Sequence, residues 1–354
     1  MRSLMNDALN SDSVQQKTDS DLLAPRIMVI GTGGAGCNTV NRISNMGVSG
    51  AQLVAVNTDK QHLSIINDEL TKILIGKTVT RGLGAGGYPE IGRKAAEVSK
   101  NALEEVLRDV DMLFVSAGMG GGTGTGSAPV IAETAKNQGA IVISMVTYPF
   151  ALEKARLLKA EKGLEELTDV SDTVIVIDNN RLVQLVPNLP IQDAFKVADE
   201  VTARTVRGIT ETITQPSLIN LDFADVKSIM SNQKLSVIAV GESSGSRSNK
   251  VEEVVEETLK NSLLDVDIAG ATGALIHITG GPEMTLGEAN KVGELLTESI
   301  DPKASVIWGA RIDPTFSNKI EVISIFTGLS TKEVPKGLNV PRIKNTNRLN
   351  LGSI

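Results

Sequence analysis

The chain has 354 residues, with 35 Lys and Arg against 42 Asp and Glu for a formal net charge of −7. That length suits about two domains with cores of their own, and the charge has the wrong sign for a dedicated nucleic-acid binder. The composition, 41% hydrophobic and 22% charged, excludes a disordered or fibrous chain, and one cysteine (Cys37) with two histidines (His62, His277) excludes a disulfide framework and a thiolate or His-rich zinc site.

Residues 1–25 are polar with four Asp, read as a disordered arm and not as a signal peptide. No apolar stretch approaches the roughly 20 residues that span a bilayer. A soluble cytoplasmic protein with no membrane insertion is expected. Apolar runs follow at Arg26–Ile30, Leu53–Val56, Lys72–Ile75, Met112–Val115, Ile141–Val146 and Val174–Ile177. They are β-branched and continuous, as in strands buried on both faces of a parallel sheet. Helical patterns lie between them. The clearest spans Pro89 to Val110, with Ile91, Ala95, Val98, Ala102 and Val106 on one face. This alternation predicts a doubly wound α/β domain over 26–188, with ligands beyond the carboxyl ends of its strands.

From Leu189 to about Ile213 the pattern predicts one long connecting helix, assigned to 189–214, which Gln215-Pro216 ends. A smaller mixed-sheet domain is expected over 215–330, with strands near Leu235–Val240, Ala274–Ile278, Ser305–Ile312 and Ile320–Ile325. Helices are expected at Lys250–Leu263 and Leu286–Ser299, and the last two strands, joined by a turn with Asp313-Pro314, are expected to form a hairpin. Residues 331–354 form a basic tail, with Lys332, Lys336, Arg342, Lys344 and Arg348 against Glu333.

The 33 glycines cluster at Gly31–Gly36, Gly82–Gly87 and Gly118–Gly126. Gly31-Thr32-Gly33-Gly34-Ala35-Gly36 fits the dinucleotide fingerprint G-x-G-x-x-G, with Asp59 a little over 20 residues on. Such patterns are permissive in glycine-rich sequences, and a strand-to-helix turn with no ligand is the lesser alternative. The cluster at Gly118–Gly126 is more specific. Successive backbone N–H groups without side chains make an anion nest, and a helix N-terminus adds about half a positive charge. Ser127 is the expected N-cap, Pro129 suits the first turn, and Thr123 and Thr125 offer hydroxyls. Two nests on one sheet edge suit a polyphosphate gripped from both sides. Gly76-Lys77-Thr78 imitates the end of a phosphate loop, but Thr71 stands where that motif needs glycine. A nicotinamide-dependent dehydrogenase remains an alternative; it lacks a catalytic His or Lys constellation and leaves Gly118–Gly126 unexplained.

Gly120–Gly126, reading Gly-Gly-Gly-Thr-Gly-Thr-Gly, resembles the signature loop of the tubulin/FtsZ family. Arg81-Gly82-Leu83-Gly84-Ala85-Gly86 and Asn220-Leu221-Asp222-Phe223-Ala224-Asp225 are similar to two further FtsZ motifs in the same order. The similarity runs from about Arg26 to Gly328, and the N-terminal arm and Phe195-Lys196-Val197-Ala198-Asp199-Glu200 are similar to the archaeal form. The resemblance implies a tubulin-like fold and a cell-division GTPase that polymerises head to tail at the division site. It implies GTP or GDP held by Gly34, Ala35, Gly36, Cys37 and Asn38 in the first loop and Gly122, Thr123 and Gly124 in the signature loop. Glu153 and Arg156 would flank sugar and phosphates, and Asn179 and Asp199 would read guanine. Asn220, Asp222 and Asp225 would act on the nucleotide of the next subunit. Mg²⁺ is expected on the phosphates, with no protein ligand named. Division-site anchor or regulatory proteins are expected as further partners, reached through the basic tail.

The chemistry of these residue types agrees. A carboxylate at Asp199 can accept from both guanine N1–H and its 2-amino group, neither of which adenine has. Asp222 and Asp225 are spaced i, i+3, so a helix starting there puts both acids on one face, for catalysis or simply as a solvated helix start. They argue against a second alternative, a non-catalytic nucleotide-binding scaffold. Two departures stand out: Arg156 is three residues after Glu153 where the family usually has four, and Cys37 stands where the family often has Asn. A thiol beside a phosphate nest at a helix N-terminus is expected to ionise readily.

Overall fold

The apolar runs become strands in the expected order: β1 Ile27–Thr32, β2 Ala51–Asn57, β3 Thr71–Leu74, β4 Met112–Gly118, β5 Ile141–Tyr148 and β6 Thr173–Asp178, then β7 Lys234–Glu242, β8 Gly273–Gly280, β9 Ser305–Ile312 and β10 Ile320–Thr327. This computed structural model describes residues 25–329 except 215–218, 220–221, 232, 244–248 and 263–267. The expected arm up to residue 24, Asn220 and the basic tail lie outside the described residues. The helices are α1 Gly33–Asn45, α2 Lys60–Ser64, α3 Lys77–Thr80, α4 Pro89–Glu97, α5 Lys100–Val106, α6 Thr123–Asn137, α7 Lys154–Val170, α8 Asn179–Leu185, α9 Ile191–Thr214, α10 Phe223–Met230, α11 Lys250–Lys260 and α12 Leu286–Thr297.

All ten strands form one sheet in the order β3-β2-β1-β4-β5-β6-β7-β10-β8-β9. The first six are parallel. Successive residues of each strand feed opposite cores, which is why the runs are apolar without alternation. Met28 and Ile30 on β1 join Leu103, Ile131 and Leu164 on one face. Ile27 and Val29 join Val40, Ile43 and Val206 on the other. Each such buried side chain contributes roughly 1.5–3 kcal/mol. The parallel half is spliced to the mixed half through β6 and β7 over three residue pairs, Thr173↔Lys234, Val174↔Leu235 and Ile175↔Ser236.

Three local expectations are corrected. The 89–110 helix is two helices, because the chain breaks at Val98-Ser99, where Ser99 Oγ accepts from Gly76 N at 2.9 Å. The buried stripe then changes phase to Leu103, Leu107 and Val110, leaving Val98 exposed. Strands β9 and β10 are not a hairpin: β10 lies between β7 and β8, antiparallel to both, while β9 pairs with β8 in parallel. The burial explains it, since every residue of β10 is buried, as in a central strand, whereas β9 starts exposed, as an edge does. Helix α6 starts at Thr123, inside the glycine run, so Ser127 and Pro129 are interior helix residues and not cap and first turn. Ser127 Oγ instead donates to Thr123 O at 2.6 Å and is paired with Thr32 Oγ1.

Helix α9 crosses from one half to the other. Ala198, Ala203, Val206 and Ile209 are buried, and its charged face is tied on both sides. Glu200 meets Arg42 of α1 at 3.0 Å, and Arg204 meets Glu200 at 3.1 Å and Glu321 of β10 at 2.6 Å. Glu211 meets Arg207 of its own helix and Arg311 of β9. A cavity of about 190 Å³ lies among these groups, with His277 of β8 and Gly208 of α9 in its wall.

Candidate functional site

The strand β1 passes into α1 without a linker, Thr32 ending the strand and Gly33 starting the helix. Gly33 has φ +74°, and a Cβ there would come within 2.7 Å of Gly124 N. Only glycine fits both demands, and the consequence is that the two glycine loops touch backbone to backbone. The N-termini of α1 and α6 thereby open side by side at the carboxyl edge of β1 and β4. First-turn amides have no acceptor inside their own helix, and each helix end carries partial positive charge. Gly34 and Gly121 are the places in these loops where a Cβ would meet nothing within 4 Å, so the cradle is open there.

The expected residues of the first loop divide by helix face. Gly34, Ala35 and Asn38 are exposed, whereas Gly36 and Cys37 belong to the buried stripe with Gly33, Val40 and Ile43. Gly36 packs on β4, where a Cβ would lie 2.1 Å from Ser116 O. Cys37 Sγ turns into the core, 3.4 Å from Val56 O. Burial pushes its thiol up to about 12. The expectation that this thiol ionises readily is therefore corrected: desolvation outweighs the helix end.

Gly122, Thr123 and Gly124 form the turn into α6. Gly122 is backed by the Gly82–Gly87 cluster, its would-be Cβ 2.8 Å from Ala85 Cβ and 2.9 Å from Tyr88 N. The Thr123 hydroxyl is engaged with Thr58 Oγ1 at 2.6 Å. Thr125 lines a separate cavity between α4 and α7. Asp59 is the N-cap of α2, accepting from His62 N at 3.1 Å, which accounts for it without a ribose.

The remaining expected residues converge from β5, β6 and α9. Glu153 is the N-cap residue of α7; its Oε1 accepts from Phe150 N at 3.2 Å and its Oε2 pairs with Arg156 at 2.7 Å. The shortened spacing thus makes an i, i+3 ion pair at the helix start. Arg156 reaches the signature loop by its stem, for a Cβ at Gly120 would lie 2.8 Å from Arg156 Cβ. Asn179 opens α8 and is buried, and its Oδ1 has no hydrogen-bond partner. Asp199 Oδ1 accepts from Thr39 Oγ1 at 2.7 Å. Burial raises the Asp199 carboxyl above its ordinary range, against the lowering effects of Thr39 and Arg42. Phe195 meets Phe150 edge to face at 5.7 Å, tying α9 to the β5–α7 loop.

Asp199 shares a cavity of about 610 Å³ with Asn38, Asn41, Arg42, Asn45, Phe195 and Lys196. Asn41, Arg42 and Asn45 were not picked out from the sequence, although they continue the outward face of α1 from Asn38 at helical spacing. The slot offers the Asp199 carboxylate and the amide of Asn38, and Asn179, outside its lining, adds a buried acceptor without a partner.

Asp222 and Asp225 are not brought to this pocket. Both are exposed at the start of α10, Asp222 capping it by accepting from Ala224 N at 3.3 Å. The part of α9 beyond the pocket residue Asp199, Glu200 to Thr214, lies between them and the pocket, about 22 Å of helix.

The comparisons agree with this arrangement. Residues 26–187 match the model of the tubulin/FtsZ family GTPase domain, and residues 235–330 that of the FtsZ family C-terminal domain. The chain is 58% identical over 332 residues to Cell division protein FtsZ 2 of Methanocaldococcus jannaschii, covering 94% of this chain and 87% of that protein. It is 52% identical over 340 residues to the protein of the same name from Halobacterium salinarum, covering 94% and 86%. The solved structure of an M. jannaschii FtsZ dimer superposes with a TM-score of 0.84 at 43% identity, covering 100% of this chain and 99% of that one. The paired glycine loops are thus not those of a dehydrogenase, and the chain belongs to the FtsZ family of tubulin-like GTPases.

Proposed function

We propose that the chain is a cell-division GTPase that polymerises head to tail, with each active site completed by the next subunit. The observation that carries this is the contact of Gly33 with Gly124, which merges two helix N-termini into one polyphosphate cradle; the slot lined by Asn38 and Asp199 and the buried, unpartnered Oδ1 of Asn179 support it. In this reading Gly34, Ala35, Asn38 and the first-turn amides of Thr123 and Gly124 hold the phosphates, and Gly36, Gly122 and Cys37 shape the loops from behind. Asp199 accepts from guanine N1–H and the 2-amino group, and Asn179 offers a further acceptor. The Glu153–Arg156 pair flanks sugar and phosphates. Mg²⁺ would ride on the phosphates and offset their charge, since no cluster of three His, Cys, Asp or Glu stands ready among the described residues.

Hydrolysis needs a water aimed at the γ-phosphorus, and phosphoryl transfer is mostly positioning and charge stabilisation. Asp222 and Asp225 are the carboxylates for that task, with Asn220 beside them in sequence, and α9 carries them away from their own pocket. They act on a neighbour's nucleotide, orienting and polarising the water. A contact between unlike faces builds an open filament when its rotation does not close. Nucleotide completes that contact, and cleavage of the γ-phosphate weakens it. Assembly takes place in the cytoplasm at the division site; among the described residues no helix is long and apolar enough to cross a membrane. Attachment therefore falls to anchor proteins, for which the basic tail is the candidate contact. The working partition is 26–188 for nucleotide binding, 189–214 for the connecting helix and 215–330 for activation of the neighbour.

Light scattering with GTP, GDP, ATP and NAD added separately tests the reading. Assembly with GTP alone is expected, and assembly with NAD or without nucleotide would sink it. Asp222→Ala should bind GTP normally and hydrolyse it on the order of 10²-fold more slowly, the scale of a lost acid–base group. Its filaments should persist. Mixed with a variant defective only in the pocket, it should regain activity as protein concentration rises; a dead mixture of co-assembled chains refutes the shared site.

A further inference from the structure

Threonine in the interior of a helix ordinarily donates its hydroxyl to the carbonyl four residues back. This chain follows the habit repeatedly: Thr134 to Val130, Thr202 to Ala198 and Thr205 to Val201, at 2.6, 2.9 and 2.8 Å. Thr39 keeps that contact only at longer range and has a second, nearer acceptor. Its Oγ1 lies 3.2 Å from Ala35 O but 2.7 Å from Asp199 Oδ1, on a helix 160 residues further along the chain. A hydroxyl has one proton, and an ionised carboxylate is the stronger acceptor. Thr39 is 3% exposed, so this proton has no competing water.

We propose that Thr39 is a specificity-determining positioning residue: its hydroxyl holds Oδ1 of Asp199 so that the carboxylate plane faces the edge of the base. The inference rests on the assignment of Asp199 to guanine given above. A carboxylate distinguishes guanine by meeting two donors on one edge, N1–H and the 2-amino group, and that requires its terminal torsion to be fixed. Left alone, such a torsion is broad and roughly two-fold. One oxygen anchored from α1 removes that freedom while leaving the other oxygen and the remaining lone pairs for the base. The anchor belongs to the helix whose N-terminus grips the phosphates, so base and phosphate recognition share one rigid body. The second link between the helices, Arg42 to Glu200 at 3.0 Å, holds α9 in register one residue further on. The other charged group in the slot, Lys196, is engaged with Asp193 at 2.8 Å.

Direct titration of the nucleotide-depleted full chain with GTP and with inosine triphosphate, which keeps N1–H but lacks the 2-amino group, tests this. Thr39→Val, the same shape without the hydroxyl, should weaken GTP about tenfold, the scale of one hydrogen bond to a charged group. It should weaken the inosine nucleotide far less, so the preference for GTP collapses, and Thr39→Ser should restore it. Equal weakening of both nucleotides would mean that Thr39 merely packs α1, and unchanged GTP affinity would mean that it does nothing; either overturns the proposal. If Thr39→Val fails to melt cooperatively, Thr39→Ala supplies the same comparison. Asp199→Asn is titrated alongside. If that variant binds GTP normally, the base assignment itself is wrong; if it loses GTP preference while Thr39→Val keeps it, only the positioning role is refuted.

Discussion

His277 should make this fold acid-sensitive in a way that one substitution removes. The imidazole is buried on β8 against α9, where a Cβ at Gly208 would lie 3.0 Å from its Cδ2, and its Nε2 is 3.1 Å from Thr279 Oγ1. Burial, helped by the positive charge of Arg207, pulls its pKa from 6.5 down to about 4. In the unfolded chain it titrates near 6.5. The folded state therefore binds this proton less tightly than the unfolded one, and stability falls as pH drops from 6.5 toward 4. Below pH 4 both states are protonated and the loss levels off. The interval corresponds to about 3 kcal/mol in full, of which about 2 kcal/mol is lost by pH 5. Urea unfolding of wild type and His277→Gln from pH 4 to 7.5 measures it. Glu321, whose carboxyl burial pushes upward, titrates in both proteins, so the difference curve isolates the imidazole. The variant should be the less acid-sensitive by about 2 kcal/mol at pH 5, and parallel curves would refute a buried neutral His277.

Two further outcomes follow from the glycine loops and the core behind them. Cys37, fully buried and with its thiol pushed up to about 12, should resist alkylation in the native protein with or without GTP, reacting only at the rate of unfolding; rapid labelling that GTP blocks would put the thiol in the pocket. Gly36→Ala and Gly34→Ala should separate folding from binding: the former forces a Cβ to 2.1 Å from Ser116 O, the latter meets nothing. Gly36→Ala should cost about 3 kcal/mol in a melting experiment, at the upper end of overpacking. Gly34→Ala should melt normally yet bind GTP more weakly, and equal melting of the two would contradict the packing.

The parallel half was legible because its strands are apolar on both faces, so each run had one reading, and the glycine clusters marked the sheet edge that carries the site. The order of the mixed half was not. A short link between β9 and β10 suggests neighbours, whereas the burial that draws Ile320–Thr327 into the centre of the sheet appears only when β7 and β8 are already paired. The break at Val98-Ser99 was hidden for a related reason: it depends on Gly76, a residue from a different turn. The burial of the Cys37 thiol did have a signal: the residue stands on the same helical stripe as Gly33, Val40 and Ile43, which are core. Thr39 offered no signal, since its partner Asp199 arrives from a distant helix.

The splice between β6 and β7 has a mechanical consequence. Its ladder is three pairs long, against six between β5 and β6 and seven between β7 and β10. The backbone ladder is thus short on that line, and it is supplemented by α9, with its ion pairs to Arg42 on one side and Glu321 on the other, and by hydrogen bonds from Thr173 Oγ1 to Met230 O and from Arg181 Nε to Ser262 O. A torque between the two halves therefore loads α9 and these side-chain links along with a backbone ladder of three pairs.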